Sequence, residues 1–273
     1  MKKYELTAEF IEKWGKKLFR IKALISFGSV EAGELGGYVE KEDNLAQDGN
    51  AWVCGNAEVY GNARVCGNAC VYGNARVYGD VWVCGNAEVY GDAEVYGDAW
   101  VCGNAEVYGD AWVYGDAWVY GDAEVYGDAW VYGNAEVYGN AEVCGNARVY
   151  GDARVCGNAE VYGNARVCGN ACVYGNARVC GNAEVYGNAD YLLIGRIGSR
   201  FSFTTFFKNK DKGITVSCGC FLGTIAEFRA KVTDTHGNNK YAKIYNLAAD
   251  MAELQILGEE HFDKLNTNKS EPF

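Results

Sequence analysis

Small apolar residues alternate with polar or aromatic residues through half of the chain. From Gly49 to Tyr186 a six-residue unit, Gly-[Asn/Asp]-Ala-x-Val-[Tyr/Cys], is repeated 23 times without an insertion. Ala and Val lie two residues apart and therefore share one face of a strand, while x and the Tyr or Cys share the other. Gly-Asn and Gly-Asp pairs accept the backbone angles of corners. The pattern predicts short strands joined by regular corners, which is a parallel β-helix.

The repeat resembles the hexapeptide repeat of left-handed β-helix proteins, in which three hexapeptides make one triangular coil. The resemblance implies a left-handed winding, because spacing alone does not set the hand. The repeats would make about 7.7 coils and a prism about 37 Å long, at a strand spacing of about 4.8 Å. The interior of each coil would hold only Ala and Val, with Val81 replacing one Ala.

The repeat domain spans residues 49–189, and the two ends of the chain have different sequence patterns. Residues 1–48 predict an N-terminal β cap, in which residues 17–24 alternate like a strand. Such a cap is needed because the first coil would otherwise expose unpaired backbone groups. Residues 190–262 predict a small α+β domain, and residues 263–273 predict a flexible tail. The fold class is therefore an all-β solenoid with an N-terminal β cap and a small α+β C-terminal domain.

Within the C-terminal domain the pattern predicts strands at residues 191–194, 201–203 and 213–216, and a helix at residues 224–232. A second helix is predicted from residue 239 to residue 257. Its apolar residues recur near the helical period. They are Tyr241, Ile244, Leu247, Ala248, Met251 and Leu254.

Two segments at the start of the solenoid, GGYVE at 36–40 and NLAQDGNAWV at 44–53, resemble a motif of a bacterial and bacteriophage family. These are hexapeptide-repeat proteins related to YdcK, described as acyltransferase-like, and the similarity extends over about residues 4–190. The resemblance implies a protein encoded by a bacteriophage or another mobile element. The C-terminal region is similar to a module of phage and gut-bacterial proteins, and this similarity implies no activity.

The formal net charge is −11, and no Lys or Arg occurs between Arg76 and Arg148. The middle of the prism should therefore carry a strong negative field, which argues against direct binding of nucleic acid. Ten of the twelve Cys lie in the repeat, where most share a slot with Tyr and act as apolar fillers. Free thiols, the lack of a signal peptide and the lack of a membrane-spanning segment indicate a cytoplasmic protein without a membrane partner.

Residues eighteen positions apart would lie above one another, which sorts the variable x position into columns. One column, the glutamate column, contains Glu88, Glu106, Glu124, Glu142 and Glu160. The three-Trp ladder contains Trp82, Trp100 and Trp118, and the two-Trp ladder contains Trp112 and Trp130. These ten residues form the candidate interaction surface.

Two explanations compete for the Trp residues. Stacked rings can stabilise their own sheet, or an exposed row of Trp can form a contact surface. Resembling β-helix proteins associate side by side as trimers, and this implies a homotrimer through the three-Trp ladder. A third possibility is that the ladder binds a ligand.

The glutamate column poses an electrostatic problem, because carboxylates about 5 Å apart repel by about 1 kcal/mol per neighbour even in water. A simple solvated face is one solution. Raised carboxyl pKa values, bound cations or a basic partner protein are the others. The GGxGxD signature of calcium-binding β-rolls is absent from the sequence.

The sequence gives little support for catalysis. Resembling acyltransferases use a His on a coil, whereas His236 and His261 both lie outside the repeat. Cys218 and Cys220 with His236 supply too few ligands for structural zinc, so we interpret these Cys as buried thiols. We therefore expect no cofactor, no metal and no enzyme activity.

The sequence favours a non-catalytic structural or interaction protein that uses a rigid acidic and aromatic β-helix as scaffold or protein-binding surface. The alternative is an acidic mimic that inhibits a host nucleic-acid-binding protein by occupying a basic site. A hexapeptide-repeat acyltransferase is a third hypothesis, and it rests on fold analogy alone.

Overall fold

The computed structural model describes residues 1–259. The predicted flexible tail and the last three residues of the predicted C-terminal domain lie outside the described residues. None of the helices in the described part of the chain combines the length and the apolar character needed to cross a bilayer.

The repeat winds into a parallel β-solenoid of about eight turns, with three strands in each turn. Residues eighteen apart pair in register; for example, Glu88 lies opposite Glu106 and Val89 opposite Val107. The predicted β-helix with three hexapeptides per coil is thereby confirmed. The left-handed winding stays a prediction.

Three parallel sheets form the sides of the solenoid. Sheet I consists of Trp52–Val53, Cys70–Val71, Glu88–Val89, Glu106–Val107, Glu124–Val125, Glu142–Val143, Glu160–Val161 and Arg178–Val179. The repeat strands of sheet II are Glu58–Gly61, Arg76–Gly79, Glu94–Gly97, Trp112–Gly115, Trp130–Gly133, Arg148–Gly151, Arg166–Val167 and Glu184–Val185. Sheet III consists of Arg64–Val65, Trp82–Val83, Trp100–Val101, Trp118–Gly121, Glu136–Gly139, Arg154–Gly157 and Cys172–Val173.

The solenoid interior contains one row of Ala and one row of Val on each side. Every repeat Ala and Val from Ala51 to Val185 is completely buried, and so is Val81 in its Ala slot. The small Ala lies beside each corner and the larger Val at the strand centre, so the interior is filled without polar atoms. The variable residues therefore all project outward, as the alternation predicts.

An antiparallel hairpin closes the N-terminal end. Strand β1 (Tyr4–Lys13) pairs with β2 (Lys16–Ala23), which pairs with β3 (Leu35–Val39), and β3 continues into sheet II beside Glu58–Gly61. The predicted strand near residues 17–24 corresponds to β2, whereas β1 and β3 were not predicted.

Buried side chains from the N-terminal cap complete the first coil. Tyr4, Ile21 and Leu45 join the solenoid core, and Lys3 Nζ donates to the Ala51 carbonyl over 2.9 Å. Burial lowers the pKa of Lys3 to about 8. A short 3₁₀ helix, Glu42–Asn44, follows the hairpin. Asn44 Nδ2 donates to the Ala63 carbonyl over 2.8 Å and so connects the cap to the first coil.

The C-terminal domain follows a second 3₁₀ helix, Asn188–Asp190. Strands β4 (Tyr191–Ile197), β5 (Ser202–Lys208), β6 (Ile214–Cys218) and β7 (Phe221–Thr224) form an antiparallel sheet. Helices α1 (Ile225–His236) and α2 (Lys240–Leu257) pack on it. All predicted strands and both predicted helices of this region are present, with β7 in addition.

Side chains cap both helices at their N-termini. Thr224 Oγ1 accepts from the Glu227 amide over 3.3 Å, and Asn239 Oδ1 accepts from the Tyr241 amide over 2.8 Å. These oxygens satisfy backbone donors that have no partner within the helix.

The C-terminal domain also closes the last coil. Phe207 is fully buried and Tyr191 is 5% exposed, and both belong to the solenoid core. Tyr191 Oη donates to the Cys172 carbonyl over 2.6 Å, and Gln255 Nε2 donates to the Tyr191 carbonyl over 2.8 Å. The domain is therefore part of the solenoid's closure and not a tethered appendage.

Candidate interaction surface

The glutamate column runs along sheet I as predicted, and a row of Tyr residues accompanies it. Each Tyr of this row follows the variable position of a sheet I strand by two residues, and neighbouring rings stack 4.7 to 4.9 Å apart. The row consists of Tyr72, Tyr90, Tyr108 and Tyr126. Each hydroxyl reaches the carboxylate of the next coil. The donor–acceptor distances for Glu88, Glu106, Glu124 and Glu142, in that order, are 2.8, 2.9, 3.0 and 3.2 Å.

The last carboxylate of the glutamate column has a different partner. Glu160 Oε2 accepts from Arg178 Nε over 2.9 Å, one coil further on. Four hydroxyls and one guanidinium thus compensate the five acids from within the chain. None of the solutions considered from the sequence included the tyrosine hydroxyls.

The hydrogen bonds also affect the tyrosines. Burial, followed by the hydrogen bond to Glu106 and the charges of the column, raises the pKa of Tyr90 well above its ordinary value. The same causes, with Glu124 as the acceptor, raise the pKa of Tyr108. Both hydroxyls therefore stay protonated to a higher pH than an ordinary tyrosine does. The signal in the sequence is a Tyr sixteen residues before each of these Glu residues.

The three-Trp ladder lies on sheet III. Trp82 and Trp100 stack with ring centroids 5.5 Å apart, and Trp100 and Trp118 with centroids 5.2 Å apart. At one end the Arg64 guanidinium lies 5.4 Å above the Trp82 ring. At the other end Trp118 is 44% exposed, which is unusual for so large an apolar side chain.

Neighbouring side chains of sheet II cover the two-Trp ladder. Trp112 and Trp130 stack at 5.2 Å. The Arg148 guanidinium lies 4.8 Å above the Trp130 ring, and the Tyr114 ring meets Trp130 edge-on at 6.3 Å. The predicted self-stabilising ladder thus describes this pair well, and the structure does not bring it together with the three-Trp ladder on one side of the prism.

A row of aspartates borders the three-Trp ladder. Asp80, Asp98 and Asp116 each precede a ladder Trp by two residues, at the corner of the same coil. Asn62 Nδ2 donates to Asp80 over 2.7 Å, but no Lys or Arg of residues 1–259 forms an ion pair with Asp98 or Asp116. Partial desolvation and the like charges of Asp116 and Asp80 raise the pKa of Asp98.

We refer to these two rows together as the acidic-aromatic face, defined by Asp80, Asp98, Asp116, Trp82, Trp100 and Trp118. The sequence carries a signal for it, because five of the six Trp residues in the repeat follow an Asp two residues earlier. Two of these pairs, Asp110 with Trp112 and Asp128 with Trp130, belong to the two-Trp ladder, so the pattern marks both ladders.

Comparison with known proteins adds the repeat family. The family model of the YdcK β-solenoid repeat matches residues 69–85, 141–157, 153–169 and 165–181. The chain carries YdcK-type β-solenoid repeats. No curated protein matches the chain.

The candidate catalytic and metal-binding residues lie away from the YdcK-type repeats. Cys218, Cys220 and His236 line a cavity of about 270 Å³ in the C-terminal domain, where His236 stacks on Tyr245 at 5.7 Å. Cys218 is half-buried and its Sγ accepts from Thr204 Oγ1 over 3.2 Å. Cys220 is exposed, so the prediction of a buried thiol is wrong for this residue. Within residues 1–259 no group of three or more His, Cys, Asp and Glu side chains is arranged to hold a metal ion. His261 lies outside the described residues.

All twelve Cys fall within the described residues, and none of them forms a disulfide. Burial raises the pKa of the Cys84 and Cys102 thiols beside the three-Trp ladder. Since the thiolate is the reactive form, these side chains serve as small apolar neighbours of the indole rings.

Proposed function

We propose that the protein is a non-catalytic structural and interaction protein whose solenoid presents the acidic-aromatic face to another protein. The observation that carries the proposal is that Asp98 and Asp116, beside the exposed Trp118, form no ion pair within residues 1–259. In the glutamate column the acids meet hydroxyls or a guanidinium group, and in the two-Trp ladder Trp130 meets Arg148 and Tyr114. On this face, carboxylates lacking a cation among the described residues lie beside Trp118, the most exposed Trp of the repeat.

The chemistry of the face favours a basic partner. Arg or Lys side chains bind over indole rings through cation–π attraction, and the neighbouring carboxylates add charge-assisted hydrogen bonds. Such a partner also fits the second hypothesis, in which a phage- or mobile-element-encoded acidic surface occupies the nucleic-acid site of a host protein. The homotrimer implied by the resemblance would use the same ladder, and it would bring three aspartate rows close together.

Binding of a labelled deca-arginine peptide, followed by fluorescence anisotropy, tests the proposal. Wild-type protein should bind it, and binding should be lost by about 0.5 M salt, where exposed charges are largely screened. The double variant Asp98→Asn/Asp116→Asn removes two charges with little change of shape. It should weaken binding at least about fivefold, if each charge contributes roughly 0.5 kcal/mol.

The Trp variants complete the test. Trp100→Ser/Trp118→Ser should also weaken binding, whereas Trp112→Ser/Trp130→Ser serves as the matched control on sheet II. Unchanged binding in both pairs would show that the peptide responds only to the overall charge of −11, and equal losses would show that it does not distinguish the two ladders. Sedimentation of the same proteins tests the homotrimer. If the three-Trp ladder forms the trimer contact, Trp100→Ser/Trp118→Ser should sediment as a monomer and Trp112→Ser/Trp130→Ser as a trimer.

A further inference from the structure

Helix α2 exposes a continuous row of large apolar side chains. Ile244 is 37% exposed, Leu247 62%, Met251 57% and Leu254 45%. The spacing of three, four and three residues places all four on one line along the helix, as at the a and d positions of a coiled coil. We call this row the α2 stripe.

The α2 stripe is not the face that α2 buries in its own domain. Ala242, Tyr245, Ala249, Ala252 and Ile256 are buried, and they belong to the core of the C-terminal domain. The helix is therefore apolar on two sides, and the domain uses only one of them. A helix with this pattern normally has a partner on each apolar side.

The charges of α2 indicate which partner this is. Lys240 and Lys243 are exposed in the first part of the helix, beside the partial positive charge of the helix N-terminus. The first turn holds no acid and the last turn no basic residue, and the exposed Glu259 follows the C-terminus. Asp250 is held by Arg229 at 2.7 Å within the chain. In a single copy this distribution opposes the helix dipole.

An antiparallel second copy of α2 would bring opposite charges together at both ends of the helix pair. It places the negative C-terminal end and Glu259 of one helix beside Lys240 and Lys243 of the other. The same arrangement is self-complementary along the stripe, because Leu247 meets Met251 and Ile244 meets Leu254 across a twofold axis. Helix α2 has 18 residues and is about 27 Å long, enough to pair over the whole stripe.

We propose that two copies of this chain associate through antiparallel pairing of their α2 stripes. This interface involves neither the three-Trp ladder nor the acidic-aromatic face, so it does not depend on the function proposed above. The C-terminal domain thereby closes the solenoid with one side and joins a second solenoid with the other.

Sedimentation velocity of the full chain over a range of concentrations tests the proposal. Wild-type protein should sediment as a dimer, and Leu247→Lys/Met251→Lys as a monomer with unchanged circular dichroism, because both side chains are exposed. Leu222→Lys is the matched control, since Leu222 is 52% exposed on β7 and lies outside the stripe. This variant should remain dimeric.

A charge exchange tests the orientation. Lys240→Glu/Lys243→Glu should weaken the dimer about fivefold, given typical helix-terminus charge effects, and the further change Glu259→Lys should restore most of the loss. Weakening without restoration would overturn the antiparallel arrangement. A wild-type monomer at all concentrations, as expected if residues 260–273 cover the stripe, would overturn the interface itself. So would a trimer that Trp100→Ser/Trp118→Ser dissociates and Leu247→Lys/Met251→Lys does not.

Discussion

A single hydroxyl allows carboxylates to stack at the spacing of β-strands. In sheet I the tyrosine of one coil donates to the glutamate of the next, so four of the five acids of the glutamate column have a neutral donor at hydrogen-bond distance. Hydrogen bonds to an ionised acceptor are stronger than those between neutral groups. The Tyr and Glu positions of the repeat therefore depend on each other across coils, although they face outward.

Replacing Tyr90 and Tyr108 with Phe should destabilise the solenoid by about 1 kcal/mol for each lost hydrogen bond. Tyr114→Phe/Tyr132→Phe is the matched control. These rings stack at 4.9 Å, close to the 4.8 Å between Tyr90 and Tyr108, but neither hydroxyl donates to a carboxylate within the described residues. Urea unfolding followed by circular dichroism measures both losses, and equal losses would contradict the role assigned to the hydroxyls.

The pH dependence of the same variants follows from the tyrosine pKa values. The pKa of Tyr90 and that of Tyr108 are raised in the folded protein, chiefly by burial and then by the Glu hydrogen bonds. A raised pKa gives stability that is complete below the unfolded value of about 10 and is lost as pH rises through the folded value. Between pH 8 and pH 11, wild-type protein should therefore lose more stability than Tyr90→Phe/Tyr108→Phe. A parallel loss in both proteins would show that other groups control the alkaline transition.

At the scale of elements, the sequence predicts those features that depend on residues close together in the chain. The Ala–Val alternation and the Gly corner are local, so the strands and corners follow from the period, whereas three hexapeptides per coil is what the resemblance to left-handed β-helix proteins implies. The buried side of α2 could not be predicted, because Ile244 and Leu247 are as apolar as Tyr245 and Ile256, which the domain buries instead. The weak alternation of β1 does not predict a strand by itself, because this segment is held as a strand by its pairing with β2.

The corner glycines lie against the corner glycines of the next coil, and they give a test of how closely the coils approach each other. Gly103 has a φ of 76°, and a Cβ there would lie 2.9 Å from the Gly121 amide nitrogen. Gly181 has a φ of 65° but nothing within 4 Å of its Cβ position. Gly103→Ala and Gly181→Ala should each cost about 1–2 kcal/mol for the left-handed conformation.

Gly103→Ala should cost about 1–3 kcal/mol more, because the neighbouring coil has to move. Urea midpoints of the two variants, compared at equal m-values, measure this difference. If both variants unfold at the same urea concentration, the coils do not approach each other as closely as the structure shows.

The whole molecule is a one-dimensional stack, in which each coil contacts only its neighbours. Every coil has the same Ala and Val interior, so the interior does not determine which coil is the first or the last. The two caps determine where the stack begins and ends. At the N-terminal end Tyr4 and Leu45 cover the first coil, and at the C-terminal end Tyr191 and Phe207 cover the last. The caps thereby supply the distinctive large side chains that the repeats lack.

Phe207→Ala should consequently loosen the C-terminal end of the stack before its middle. Removing this buried ring should cost about 3–5 kcal/mol, and the loss should appear locally in hydrogen exchange. Amides of Val179 and Val185 should lose protection, whereas those of Val107 and Val125 in central coils should keep it.

The neighbouring Phe206 provides the control, because it lies on the same strand with its ring in the core of the C-terminal domain. Phe206→Ala should expose the amides of α1 and α2 and leave the last coil protected. This contrast separates closure of the solenoid from stability of the domain, since adjacent rings of equal size point to opposite sides of β5. If both variants exposed the same amides, the last coil and the C-terminal domain would unfold as one unit, and the cap would have no separate role.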